Sequence, residues 1–234
     1  EHAASATSLL STASFVLEEA KASGGDTVRI ASSASLEDTS ATSTFNVLEG
    51  LILAVDTKDR YTKRHSEDVA RYAMFLASRL GLDADELRVI QTAGLLHDVG
   101  KIGIPDHILR KPGKLTAAEF GIVKQHVALG DMIVRDLPDL DQVRAGIRHH
   151  HERWDGDGYP DRLAGEAIPL PARVFAVADA LDALTTDRPY RPASSFAHAR
   201  KEVLASAGTQ FDPDVVAAYE EIPDTTFERL RATL

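Results

Sequence analysis

The feature that most constrains this chain is the series of helical segments that follows residue 44. Apolar residues recur there at the three- and four-residue intervals of an α-helix face, and strand signals are almost absent. The pattern predicts an all-α domain over residues 44–234. Its helices are expected at about 66–80, 139–151, 172–186, 194–206 and 213–221.

Two short polar segments predict where further helices begin. Thr116–Glu119 has the form of a capping box, in which the Thr and Glu side chains satisfy each other's free backbone N–H groups. Asp83–Glu86 has the same form with Asp as the cap. Gly81, directly after the first predicted helix, suits a C-terminal cap.

The first 43 residues differ in character from the rest. Apolar residues at helical spacing over 6–22 are followed by a strand-like run over 27–31 and a Ser- and Thr-rich stretch over 32–43. We interpret 1–43 as a short helix–strand remnant of an upstream domain followed by a linker. Because the chain does not open with Met and shows no signal-peptide pattern, we expect it to be a fragment of a longer polypeptide.

The composition excludes several classes of function. There is no cysteine, so any metal must be held by nitrogen and oxygen ligands. A net charge of −10 argues against binding of long nucleic acid, although not against a small phosphate ligand. Apolar runs end well before the length of a membrane span, and we expect a cytoplasmic location.

A series of histidines and aspartates indicates a metal site. The pair His97–Asp98 ends the apolar segment 89–96, and Asp179 lies within the equally apolar segment 174–180. Buried carboxylates in such segments are usually paired or bind a metal, because desolvating them alone costs free energy. One histidine on an apolar helix is more often a core residue, but the whole series favours ligation. The candidate ligands are His65, His97, Asp98, His126, His150, His151 and Asp179.

Charge favours two divalent ions at this site. Imidazoles are neutral ligands, so two dications combined with Asp98, Asp179 and a bridging hydroxide leave one residual positive charge. A positive centre of this kind suits the binding of a phosphodiester and the stabilisation of its transition state.

The segments HDVGK over 97–101 and HHHERWDGDGYP over 149–160 closely resemble the HD-GYP family, a branch of the HD metal-dependent phosphohydrolases. The resemblance covers nearly all of 46–220. It implies an HD-type helical bundle around a di-metal site in a protein of bacterial second-messenger signalling. It also implies hydrolysis of a cyclic dinucleotide, cyclic di-GMP above all, to the linear dinucleotide or onward to GMP.

The resemblance assigns roles to the candidate metal ligands. Asp98 would bridge two transition-metal ions, with Fe or Mn favoured and Ni or Zn as alternatives. The remaining ligands would divide into two sets: His65, His97 and Asp179, and His126, His150 and His151.

Other positions match residues that contact the ligand's phosphates, namely Lys101, Arg188 and Arg191. Asp98 and Lys101 are the candidate catalytic residues, and Lys101 would either hold a phosphate or help to protonate the leaving group. His149 is not expected to ligate. The Gly158–Pro160 loop is expected to brace the metal-bearing helix or to contact the substrate, and it is also a candidate for recruiting partners.

One position departs from the family pattern. Some members bind a third metal through a Glu one helical turn before the first histidine, and Tyr61 occupies that place here. Since a phenol is neutral at pH 7 and ligates such ions poorly, we expect two ions, and hydrolysis that stops mainly at the linear dinucleotide.

The sequence leaves alternative functions open. A catalytically weak cyclic-dinucleotide sensor or protein-interaction scaffold would have no physical need for the full ligand set. The Gly-Tyr-Pro match disfavours a third alternative, an HD hydrolase of free nucleotides.

Residues 9–31 more weakly resemble the end of a GGDEF-type cyclase domain, without its signature loop, so no cyclase activity is expected. A GGDEF-type domain, in the same chain or another, and a second copy of this chain are candidate partners.

Phosphate binding should depend on particular basic residues in a chain of this negative charge. We expect Arg188→Ala to weaken dinucleotide binding without lowering metal content, as measured by calorimetry and metal analysis. Unchanged affinity in both Arg188→Ala and Arg191→Ala would remove these residues from the site.

Overall fold

Helices account for nearly all regular structure in the described part of the chain. The computed structural model describes residues 47–48, 50–52, 54–55, 58, 62–138, 140–187 and 192–232. Glu1–Leu51 and Ile52–Leu234 form separate units. The predicted N-terminal remnant, Tyr61, Arg188 and Arg191 lie outside the described residues.

The larger unit is all-α, as predicted. Within the described ranges the β structure is limited to one isolated bridge between Ala207 and Phe211. Short 3-10 helices cover Val99–Gly103 and Gly165–Ala167. The α-helices are α1 Thr62–Arg79, α2 Ala84–Leu96, α3 Asp106–Leu109, α4 Ala117–Val123, α5 His126–Val134, α6 Asp141–His149, α7 Leu170–Thr185, α8 Phe196–Ala205, α9 Pro213–Glu220 and α10 Asp224–Ala232.

The predicted caps are confirmed. The Asp83 side chain accepts the backbone N–H groups of Asp85 and Glu86, and the Glu86 carboxylate accepts the Asp83 N–H. Thr116 and Glu119 form the same reciprocal pair at the start of α4. Gly81 has a φ of 81°, the left-handed conformation in which glycine ends a helix without strain.

Helix α7 lies at the centre of the bundle. It packs against α1, α6 and α8, and a helix that is surrounded in this way is expected to be apolar over most of its circumference. Its buried apolar residues are Ala172, Val174, Phe175, Val177, Ala178 and Leu181. The aspartates on this helix are therefore exceptions that call for a partner.

Helix α1 begins four residues earlier than predicted, so His65 lies inside it. His65, Val69, Ala73 and Leu76 are all buried, and their spacing places them on one face of the helix. Because α1 packs on both α2 and α7, this face carries His65 into the middle of the bundle.

Helix α10 was not predicted from the sequence. The segment contains few apolar residues, and within its described range the helix buries Phe227. The Phe227 ring lies edge-on to the Tyr72 ring of α1, with centroids 5.4 Å apart. This buried aromatic ring helps to attach a mostly polar helix to the bundle, together with hydrogen bonds from Arg231 to Thr185 and Asp182 of α7.

No helix in the described ranges is both long and apolar enough to cross a membrane.

The 3-10 turn after α2 lies directly against the start of α5. A Cβ added at Gly100 would lie 1.8 Å from the carbonyl oxygen of His126 and 2.5 Å from the nitrogen of Gly130. Only glycine permits this approach, which brings the His97–Asp98 pair beside His126.

We expect Gly100→Ala to lower the free energy of unfolding by about 1–3 kcal/mol or more, because backbone must move. Gly121→Ala is the control: a Cβ there meets nothing within 4 Å, so this variant should gain about 0.4–1 kcal/mol. Equal urea unfolding midpoints for the two variants would contradict the close approach.

Candidate metal centre

The fold brings all the candidate ligands to one place. They come from several helices and from the turns that follow them. His65 lies on α1, His97 and Asp98 at the end of α2, His126 at the start of α5, His150 and His151 directly after α6, and Asp179 on α7.

Asp98 lies at the centre of the cluster. Its Oδ2 is 3.3 Å from Nε2 of His97 and 3.8 Å from Nε2 of His65, whereas its Oδ1 is 3.4 Å from Nε2 of His126. The two oxygens of one carboxylate thus face two different sets of imidazoles, which is the geometry that a bridging ligand needs.

The nitrogens and oxygens form two groups that could each hold an ion. His65, His97 and Asp98 make up one group, and His126, His150 and His151 the other, with ligand atoms within 4.8 Å of one another. Oδ1 of Asp179 lies 3.4 Å from Nε2 of His65, on the side of the first group. This division agrees with the one that the family resemblance implies, while ligation itself stays a prediction.

Backbone carbonyls orient three of the imidazoles. The Nδ1–H groups of His97, His126 and His150 donate to carbonyl oxygens three residues earlier at 2.7, 2.7 and 2.8 Å. Because a carbonyl can only accept, Nδ1 carries the hydrogen, and the Nε2 lone pair is directed into the cluster. A hydrogen bond of this kind on the outer nitrogen is the usual arrangement for metal-binding histidines.

The second group fits a cation on physical grounds. Nε2 of His126 and Nε2 of His150 are 3.3 Å apart, so two lone pairs face each other. Burial lowers the pKa of both residues, so neither holds a proton there at neutral pH. Burial also lowers the pKa of His151 to about 3. Three neutral nitrogens suit a divalent transition metal.

The carboxylates are ionised. Burial alone would raise the pKa of Asp98, but Lys101, whose Nζ lies 2.7 Å from Oδ2, and His97 hold it well below its usual range. Burial likewise opposes ionisation of Asp179, and His65 and His97 lower its pKa. The pKa of His97 is raised, because the carboxylates of Asp98 and Asp179 outweigh the effect of burial.

Asp182 supports the site, although it was not predicted as a site residue from the sequence. It is wholly buried, and its Oδ2 accepts the Nδ1–H of His65 at 2.7 Å. Its Oδ1 accepts from Arg231 of α10 at 2.9 Å. The signal was present, since Asp179 and Asp182 lie three residues apart in an apolar helix and so share one side of it.

His149 lies outside both groups. Its Nε2 is 3.0 Å from the Asp161 carboxylate, and its Nδ1 is 3.0 Å from the carbonyl of Ala145. Both nitrogens are thus engaged away from the cluster, as expected for a residue that does not ligate.

The Gly-Tyr-Pro loop packs against the second histidine group. A Cβ at Gly158 would lie 2.4 Å from the nitrogen of Arg153, so the loop approaches this backbone closely. The Tyr159 N–H donates to the His151 carbonyl, and the Tyr159 ring lies over the His151 ring with centroids 4.8 Å apart. The loop therefore braces His151.

A cavity of about 620 Å³ opens beside the cluster. It is bounded by α4, α7, α8 and the Gly158–Pro160 loop, and His150, His151 and Asp179 form part of its wall. Its volume falls in the range of sites that hold small molecules.

Fold and site together define an HD-type helical domain. Residues 51–215 match the HD domain family, and the chain belongs to this family. The resemblance to the HD-GYP branch is confirmed by this family match together with the relatives described next.

The chain is 44% identical over 173 residues to the cyclic di-GMP phosphodiesterase response regulator RpfG of Xanthomonas campestris, covering 73% of this chain and 46% of that protein. It is 43% identical over 183 residues to a 3′3′-cGAMP-specific phosphodiesterase of Vibrio cholerae, covering 77% of this chain and 35% of that one. This chain thus spans half or less of these relatives.

Solved structures share the fold. A cyclic GMP-AMP-specific phosphodiesterase of V. cholerae superposes with a TM-score of 0.57 at 20% identity, over 79% of this chain and 52% of that one. An HD-GYP-type protein of Bdellovibrio bacteriovorus gives a TM-score of 0.57 at 19% identity, over 77% and 62%.

We expect Asp182→Asn to weaken metal binding by about 10–100-fold, because an amide facing both His65 and Arg231 no longer holds the imidazole in place. The measurement is metal retained after dialysis against graded chelator. Asp212→Asn is the control, since Asp212 is a buried aspartate with an Arg173 partner at 2.6 Å and should retain metal. Wild-type retention in Asp182→Asn would show that this contact does not orient His65.

Proposed function

We propose that this domain is a metal-dependent phosphodiesterase that hydrolyses cyclic di-GMP to the linear dinucleotide. The observation that carries the proposal is the position of Asp98, whose two oxygens face two imidazole groups at 3.3–3.8 Å. The adjoining cavity of about 620 Å³, whose wall includes His150, His151 and Asp179, supports the proposal because it would give a substrate access to the centre.

The proposed ligands are divided between two ions. His65, His97 and Asp179 would hold one, His126, His150 and His151 the other, and Asp98 both. When bound, two divalent cations supply an activated water and neutralise charge on the phosphodiester. Fe or Mn is favoured, with Ni or Zn as alternatives, because the donor set is nitrogen and carboxylate oxygen without sulfur.

In the reaction a water oxygen bonds to phosphorus, the bond from phosphorus to the 3′ oxygen breaks, and a proton ends on that oxygen. Lys101 lies 2.7 Å from Oδ2 of Asp98, so its ammonium would either hold a non-bridging phosphate oxygen or supply the proton. Arg188 and Arg191 would bind phosphate oxygens, by the family match of their positions.

The names of the relatives support the substrate class. Proteins at 42–44% identity are named for cyclic di-GMP or 3′3′-cGAMP hydrolysis. With Tyr61 in place of a third carboxylate ligand, we propose two ions and a linear dinucleotide as the main product.

The wider setting is proposed from the sequence. Residues 1–43 would be the remnant of an upstream domain with its linker, and 44–234 the catalytic domain. The protein would act in the cytoplasm, with a GGDEF-type domain or a second copy as candidate partners.

The direct test is product analysis on anaerobically purified protein whose metal content has been counted. We expect two ions per chain and conversion of cyclic di-GMP to the linear dinucleotide, resolved by chromatography. Two bound ions with dinucleotide binding but no hydrolysis would favour the sensor alternative, and rapid GMP accumulation without the linear product would overturn the proposed end point.

We expect Asp98→Ala to abolish hydrolysis and to lose metal while the helical circular dichroism stays largely intact, because the proposed bridge is removed. The exposed Asp136, changed to Ala, is the control and should keep wild-type turnover. Normal turnover with two ions bound in Asp98→Ala would rule out the bridging role.

A further inference from the structure

Phe120, Lys124 and Tyr159 form a cluster at the wall of the cavity, which we call the aromatic end. The Lys124 ammonium lies 4.9 Å from the centroid of the Phe120 ring and 4.8 Å from that of the Tyr159 ring. The two rings meet edge-on, with centroids 6.4 Å apart. Through Tyr159, which lies over His151, the aromatic end adjoins the candidate metal centre.

The exposure of Phe120 is not explained by the fold. Among the described residues, the large apolar side chains that are exposed are Phe120, at 45%, and Met132, at 53%. Helix α4, which carries Phe120, buries none of its own residues. Phe120 lines the cavity and Met132 does not, so the partly exposed Phe120 side chain borders the space where a ligand would lie.

We propose that the aromatic end binds a purine base of the cyclic dinucleotide. This rests on the proposed function and adds the residues that recognise the base. The base stacks on the exposed part of the Phe120 ring, since stacking on an aromatic side chain suits any base. Lys124, held by the two rings, donates to the edge of the base, while the phosphates reach toward the histidines.

Lys124 makes this subsite selective for guanine. Guanine presents two neighbouring acceptors, N7 and O6, on its major-groove edge, whereas adenine presents N7 beside the N6 amino donor there. An ammonium has only hydrogens to donate, so it satisfies guanine and opposes the adenine amino group. A dinucleotide with at least one guanine is therefore accepted, and one with two adenines is disfavoured.

The first test measures binding of hydrolysis-resistant phosphorothioate analogues of cyclic di-GMP by calorimetry to the metal-loaded protein. We expect Phe120→Ala to raise Kd about tenfold, which is about 1.4 kcal/mol, with unchanged metal content. Phe120→Tyr should bind like wild type, and Met132→Ala is the matched exposed control. An unchanged Kd in Phe120→Ala would overturn the stacking role and favour a protein partner at this surface.

The second test compares the phosphorothioates of cyclic di-GMP and cyclic di-AMP. Lys124→Met should bring the ratio of their Kd values close to one, whereas Lys114→Met, an exposed control, should leave it unchanged. A wild-type ratio in Lys124→Met, with both affinities lowered equally, would overturn base reading in favour of a general charge effect. If the wild-type protein binds neither analogue, the proposed function itself fails, which is distinct from failure of the subsite alone.

Discussion

The Asp98 side chain is only 6% exposed, and its carboxylate lies between two groups of imidazoles. The helices of the bundle supply the side chains that surround this negative charge. Asp98 is ionised in spite of burial because Lys101 and His97 are close to it. The Nε2 lone pairs of His126 and His150 face each other at 3.3 Å. Burying ionised and polar groups of this kind costs free energy unless a cation lies among them. We therefore expect the stability of the domain's interior to depend on a cation bound between these side chains.

The surrounding structure serves to hold those side chains in position. Carbonyls at the ends of α2 and α6 orient His97 and His150, and the Arg231–Asp182 pair orients His65 from the opposite side. The absence of a side chain at Gly100 allows the turn that carries Asp98 to meet α5. Stability and site geometry are therefore coupled, and substitutions at Gly100 and Asp182, outside the ligand set, should affect metal binding.

Much of this could be predicted from the sequence. Helical spacing, the capping boxes and the apolar settings of His97–Asp98 and Asp179 indicated the fold class and the cluster, because they depend on local patterns. Asp182 was missed although it lies three residues from Asp179, because its partners His65 and Arg231 come from other helices. Helix α10 was missed because one buried Phe leaves almost no periodic signal. The aromatic end could not be foreseen either, as Phe120 and Tyr159 are brought together only by the tertiary fold.

The most direct measurement is an anomalous-scattering map from crystals of metal-loaded wild-type protein, collected at the absorption edge of the bound metal. The two-ion centre predicts one peak among His65, His97, Asp98 and Asp179 and a second among Asp98, His126, His150 and His151, each in contact with a different oxygen of Asp98. A single peak, a third full-occupancy peak near His65, or peaks that do not touch Asp98 would contradict it.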